Sequence, residues 1–141
     1  MRLVIIVIVT VLFVGCGPED QTPPSSCLEG ISIECTPQYT PTFDKIFEIT
    51  LQNSCSVGGN ACHSSAGAKG GISFDDIEQS YLLLLNPGTT DPRVVPGEPA
   101  CSSLVHRLES DDSSRLMPPG NKLSPEVRCA IVQWIAAGAE R

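Results

Sequence analysis

Large rings are scarce in this chain: one Trp, two Tyr and four Phe among 141 residues, an aromatic fraction of 5%. So few of them leave a modest core for a single small domain, which then needs disulfides, a metal or a large cofactor to hold it. Positive charge is also short, with nine Lys and Arg against sixteen Asp and Glu and a net charge of −7. That balance excludes nucleic acid and anionic membrane surfaces as natural partners. No run alternates apolar and polar residues long enough to make a strand, so an all-α class with short helices and long loops is expected. Also missing are His-Glu-x-x-His, a phosphate loop, a dinucleotide fingerprint and a nucleophile elbow. Nothing points to an enzyme acting through side chains alone.

What the chain does have is 12 Gly, 12 Pro and seven Cys. Leu3 to Val14 is an apolar run broken only by Thr10, preceded by Arg2 and followed by Gly15-Cys16 and then Gly17-Pro18-Glu19-Asp20. Twelve residues are too few to span a bilayer but suit a secretory signal. The junction resembles a bacterial lipoprotein lipobox, with Phe13 where Leu is usual. The resemblance implies a signal peptide over 1–15, lipid on Cys16, and an exported protein anchored in the bacterial cell envelope, at the outer membrane or the periplasmic face. The chain without residues 1–15 carries eight basic side chains against sixteen acidic ones, a net charge of −8. Export also means oxidising conditions, under which paired cysteines become disulfides unless another group claims them.

Residues 16–41 are rich in Pro, Ser and Thr and carry no period, and are read as a flexible lipidated tether. Cys27 and Cys35 lie in its second half, where a local disulfide closing a small loop is expected. Residues 42–141 make the domain. Thr42 is placed to cap a first helix carrying Phe43, Ile46, Phe47 and Leu51 and running towards Cys55. Ser64 to Gly71 reads as small and flexible. Ser73-Phe74-Asp75-Asp76 has a capping-box pattern opening a second helix through Ile77, Tyr81, Leu82 and Leu85, ended by Asn86-Pro87-Gly88. A third helix is expected from Pro99 to Leu108, then a stiff Met117-Pro118-Pro119-Gly120 loop, since each proline fixes its own φ. Ser124-Pro125 starts a last helix with Val127, Ile131, Trp134 and Ile135 on its buried face and Gly138 as its stop.

The chemistry concentrates in Cys55-Ser56-Val57-Gly58-Gly59-Asn60-Ala61-Cys62-His63. Two cysteines with a histidine beside the second are the pattern that attaches a c-type haem, but the usual pattern has two residues between the cysteines and this one has six. Val57-Gly58-Gly59-Asn60 reads as an insertion able to form a protruding turn, because Gly-Gly-Asn readily takes positive φ. Three outcomes stay open for Cys55: a second thioether beside Cys62, a place elsewhere, or a disulfide with Cys62 in a domain without haem.

From Phe43 onward the chain resembles a small class I c-type cytochrome domain. The likeness is carried by the helix leading to Cys62-His63, and by the ordered middle Gly70-Gly71-Ile72-Ser73-Phe74, Tyr81, Arg93-Val94-Val95-Pro96-Gly97-Glu98-Pro99, Ser103-Leu104 and Met117-Pro118-Pro119-Gly120. The closing helix Ile131-Val132-Gln133-Trp134-Ile135-Ala136-Ala137-Gly138-Ala139 completes it. The resemblance implies a small orthogonal helical domain with long loops, its first and last helices crossing, and one haem c per chain filling the core. Cys62 and Cys55 would attach the haem, with His63 as proximal and Met117 as distal ligand. Such a protein carries electrons to a redox partner protein that the sequence does not identify.

His106 competes with Met117 as distal ligand, though it is expected to be exposed. Arg93 is a candidate for a haem propionate, and Trp134 is expected in the core. Cys101 and Cys129 read as a disulfide tying the third helix to the last, worth roughly 3 to 4 kcal/mol by loop entropy. The alternative use of these thiols is a zinc site with Cys62 and His63, although the spacings match no common zinc pattern. Two further readings remain: a haem-free, disulfide-stapled surface module, and a haem domain with an open distal site for small ligands or peroxide. If Cys16 is the lipidated residue, Cys16→Ser should abolish incorporation of labelled fatty acid and release the protein into the soluble fraction. Label retained by the variant would count against the assignment.

Overall fold

Four α-helices and no strand are found among the described residues, 27–86 and 92–141 of a computed structural model. The class is all-α, as expected. Helix α1, Phe43–Ile46, continues without a break into a π-helix, Phe47–Cys55. Thr42 stands at the N-cap position, but its side chain makes no capping bond. In the π-helix each N–H reaches one residue further back than in an α-helix, as in the 3.1 Å bond from Ser56 N to Leu51 O. Neighbouring side chains take up carbonyls of this wider winding: Asn53 Nδ2 donates to Glu48 O at 2.8 Å, and Ser56 Oγ to Gln52 O at 2.8 Å. π-Helical turns of this kind are rare and often mark functional positions.

Helix α2 spans Ile77–Leu84 and is capped by Asp76, whose side chain accepts from Gln79 N at 2.9 Å. The expected capping box at Ser73 is therefore displaced by three residues. The carboxylate of Asp75 instead accepts from Ser65 N at 2.6 Å, tying the preceding loop to the helix entry. Helix α3, Ser103–Glu109, follows a 3₁₀ turn at Pro99–Cys101. Helix α4, Pro125–Ala136, begins as expected, with Ser124 accepting from Val127 N and proline in the first turn. It stops at Gly138, whose φ of +104° only glycine takes up readily. The chain then folds back, Ala139 N donating to Trp134 O at 3.0 Å.

Phe43 is the centre of the core. It is fully buried and touches Tyr81 of α2 at 5.0 Å between ring centroids and Trp134 of α4 at 5.3 Å. The first and last helices thus meet through a ring pair, where the sequence placed Trp134 in the core. Both polar tips are satisfied: Trp134 Nε1 donates to Glu140 O and Tyr81 Oη to Ala139 O. No helix among the described residues is long and apolar enough to cross a membrane. The apolar run from Leu3, Cys16, the first part of the expected tether, and the Pro87-Gly88 stop lie outside the described residues.

Two expectations are corrected by the disulfides. Cys27 is bonded to Cys101 and Cys35 to Cys129, so neither the local Cys27–Cys35 loop nor the Cys101–Cys129 bridge forms. The reason is the course of residues 27–41, which lie against the domain rather than leading away from it as a tether. Leu28 N donates to Ala100 O at 2.8 Å and Gln38 N to Glu126 O at 3.0 Å. Gln133 Nε2 donates to both Ile33 O and Cys35 O, and Leu28, Ile31 and Tyr39 pack on the core. That course sets Cys27 beside the turn before α3 and Cys35 beside α4. The same pairing removes Cys101 and Cys129 from any zinc site.

The bridges have sequence separations of 74 and 94, against 129 − 101 = 28 for the expected Cys101–Cys129 pair, and each is worth about 4 to 5 kcal/mol by the loop-entropy relation. Peptide mapping without reduction should recover fragments linking 27 to 101 and 35 to 129. The paired variant Cys35→Ser/Cys129→Ser should lose about that much in denaturant unfolding, and an unchanged midpoint would contradict the role given to this bridge.

Candidate functional site

The stretch from Cys55 to His63 folds as a closed loop. His63 N donates to Cys55 O at 3.1 Å, so the chain leaves and returns to one point however many residues lie between. The loop contains a 3₁₀ turn, Gly59–Ala61, with Gly59 at φ +56°. Ser64 Oγ and Cys62 N both donate to Gly59 O, at 3.0 and 3.2 Å. Val57 protrudes, 69% exposed, and Gly58 to Asn60 are exposed beside it. This is the protruding turn expected of the insertion.

The next segment is not the flexible one expected. Ala68 N donates to Ser64 O, Lys69 N to Cys62 O and Gly71 N to Ala68 O, winding it into successive turns. Gly67 makes the arrangement possible. A Cβ there would lie 2.5 Å from Cys62 O and 2.7 Å from Gly59 O, both backbone atoms. From His63 O, which accepts from Phe74 N at 2.7 Å, the chain passes to the buried Ile72 and Phe74.

One cavity of about 500 Å³ is lined by Cys55, Cys62, His63 and Met117 together. Its apolar wall is Ile72, Phe74, Leu84, Leu104 and Leu108, closed by Pro118 and Pro119. Among the described residues Lys69, Arg93 and Arg107 supply its charged groups, and no Asp or Glu lines it. Cys55 and Cys62 are the free cysteines among the described residues. Burial, with the neighbouring Cys62 as a smaller cause, pushes the Cys55 thiol up to about 12, so it stays protonated at neutral pH. The His63 ring packs on Phe74, with centroids 5.4 Å apart, and its Nδ1 is buried without a hydrogen-bond partner. Met117 is held from the other side, its N–H donating to Arg107 O of α3 at 3.0 Å.

The remaining candidates fall elsewhere. His106 is half-buried, its Nε2 lies 2.7 Å from Ala100 O, and it does not line the cavity. Arg93 does line it, but its guanidinium donates to Leu83 O at 2.9 Å and Gly70 O at 2.7 Å, joining the end of α2 to the turn at Lys69–Gly71. Sequence reading missed Lys69, Arg107 and Gly67. The two cations carry no motif, and nothing in a sequence distinguishes a glycine needed for close backbone approach.

These residues suit a mostly apolar group with an anionic part and a centre that sulfur and nitrogen donors can hold. Two thiols, a nitrogen donor and a soft sulfur donor line one cavity, and basic residues stand at its wall. Among the described residues the buried Nδ1 of His63 has no hydrogen-bond partner, so this ring nitrogen is left unsatisfied by the protein. Among the described residues no three His, Cys, Asp or Glu side chains gather as a metal site of their own. The fold and cavity therefore define a small helical domain with one largely apolar cavity that carries sulfur, nitrogen and basic groups.

Residues 60–121 match a family model described as Planctomycete cytochrome C. The match supports a cytochrome c-like domain. It takes in Cys62, His63 and the loop at 117–120, and begins downstream of Cys55. No curated protein and no solved structure matches the chain.

Gly67→Ala should push the loop at 59–62 away from Cys62 O, because backbone cannot yield as a side-chain tip can. Lower thermal stability together with less cofactor attached per chain is expected. A variant equal to the parent in both would show that the loop position is not set by this contact.

Proposed function

We propose that this protein is a mono-haem c-type cytochrome acting as an electron carrier, lipid-anchored through Cys16 in the cell envelope. The observation that carries the reading is the single cavity lined by Cys55, Cys62, His63 and Met117. When bound, haem supplies an iron centre that gains and loses one electron. Cys62 and Cys55 would each add sulfur and hydrogen across one vinyl group of the porphyrin. The bond from His63 N to Cys55 O supports including Cys55, since it brings the start of the stretch back to its end.

His63 is the nitrogen ligand and Met117 the thioether ligand, a pairing that favours the reduced state and raises the potential. Leu84, Leu108, Ile72 and Phe74 give the cavity a buried apolar wall, and the prolines after Met117 limit its movement. With His63 and Met117 both supplying donors, the site would carry electrons rather than perform chemistry on a substrate. Its partner is a redox protein.

The two disulfides favour a second reading, a stapled surface module without haem, because they hold the fold with no cofactor. Production with a c-type maturation system separates the two readings. The proposed protein keeps its haem stain on a denaturing gel and loses it in Cys62→Ser, whereas a stainless parent chain would end the cytochrome reading. Met117→Ala should remove the spectral signature of sulfur ligation from the stained protein. A reduced spectrum identical to the parent's would show that Met117 is not a ligand.

A further inference from the structure

The chain carries a net charge of −7, yet among the described residues the charged ones lining its cavity are Lys69, Arg93 and Arg107, all basic. Elsewhere among the described residues four of the five basic side chains are paired: Lys45 with Glu48, Lys122 with Asp111, Arg128 with Glu109, and Arg141 with Asp44 and Glu78, while the exposed Arg115 is in no ion pair. Among the described residues none of the three cavity cations has a carboxylate partner. A cation beside an apolar wall gains from an anion far more than one in open water does.

The three are not equivalent. Arg93 already has its guanidinium engaged by two backbone carbonyls. Arg107 makes only a 3.5 Å contact to Arg115 O, and the Lys69 ammonium has no hydrogen bond or ion pair among the described residues. Each of these two cations is fastened to one side of the site through its backbone. Lys69 N donates to Cys62 O on the thiol side, and Arg107 O accepts from Met117 N on the opposite side.

We propose that Lys69 and Arg107 are the anion-binding pair of the cavity and take the carboxylate groups of the bound porphyrin, with Arg93 holding the wall in place. The proposal rests on the haem reading and assigns that group's carboxylates to two residues that no motif marks. Held by cations, these carboxylates stay ionised across the neutral range. The other titratable or charged groups lining the cavity among the described residues are Arg93, His63, Cys55 and Cys62.

The test is the midpoint potential of the haem-loaded protein, followed from about pH 5 to about pH 8, where a carboxyl without its cation titrates. The parent should give a flat profile. Lys69→Gln and Arg107→Gln should have lower potentials at the alkaline end, because an uncompensated carboxylate opposes the incoming electron. Their potentials should climb as pH falls and the carboxylate takes a proton on reduction. Arg107→Lys should restore the flat profile, and Lys122→Gln, an equal charge change in an exposed ion pair, should leave the potential unmoved. If Arg107→Gln does not fold, Lys69→Gln in its exposed turn decides the matter. A parent profile that already climbs, or a Lys69→Gln profile that tracks Lys122→Gln, would overturn the assignment while leaving the haem reading intact. Absence of haem from the parent would instead end that reading.

Discussion

One backbone hydrogen bond holds the candidate site together, from His63 N to Cys55 O. It closes the loop between the thiols, so the six intervening residues add a protrusion without pulling the cysteines apart. The other features of the stretch serve this closure. Gly59 takes the positive φ of the turn, Gly67 admits two backbones at close approach, and Lys69 N binds Cys62 O from the far side. His63 is fastened at both ends of its peptide unit, its carbonyl accepting from Phe74 N. The imidazole is therefore positioned by backbone geometry, although its Nδ1 has no hydrogen-bond partner.

The opposite side of the cavity is held by different means. Helix α3 presents Leu104, Arg107 and Leu108 to the cavity and fixes Met117 through the Arg107 carbonyl. The turn before α3 is bridged to Cys27, and α4 to Cys35. The segment from Cys27 to Pro41 thus braces two helices from outside, and the domain begins well before the first helix. A chain with so few rings gains from this bracing, because disulfides that close long loops restrict the unfolded chain most.

Electrostatics divide the molecule in the same way. Acidic residues outnumber basic ones and hold four of the eight described basic side chains in ion pairs, while among the described residues the cavity keeps three cations and no carboxylate. The aromatic cluster around Phe43 draws α1, α2 and α4 together and leaves Phe74 as the one Phe, Tyr or Trp in the cavity wall among the described residues, beside aliphatic side chains.

Much of this was legible in the sequence where the governing physics is local. The all-α class, the start of α4 at Ser124-Pro125 and its stop at Gly138 follow from capping chemistry and from glycine's freedom at positive φ. The pattern of Cys55, Cys62, His63 and Met117 was also visible, since donor types and their order are properties of the chain. Disulfide partners were not, because nearness in sequence says little once residues 27–41 lie across two helices. Nor were the turns of the segment after His63, the displaced cap at Asp76, or Lys69 and Arg107 as the unengaged cations of the cavity. Each depends on atoms brought together from distant positions, and so do the spatial closure of the misspaced stretch from Cys55 to His63 and the cavity it shares with Met117. The sequence by itself determined which donors are present and in what order. Only the tertiary structure decided that they face one cavity, because that depends on a hydrogen bond between residues 55 and 63 and on the packing of α3 far along the chain.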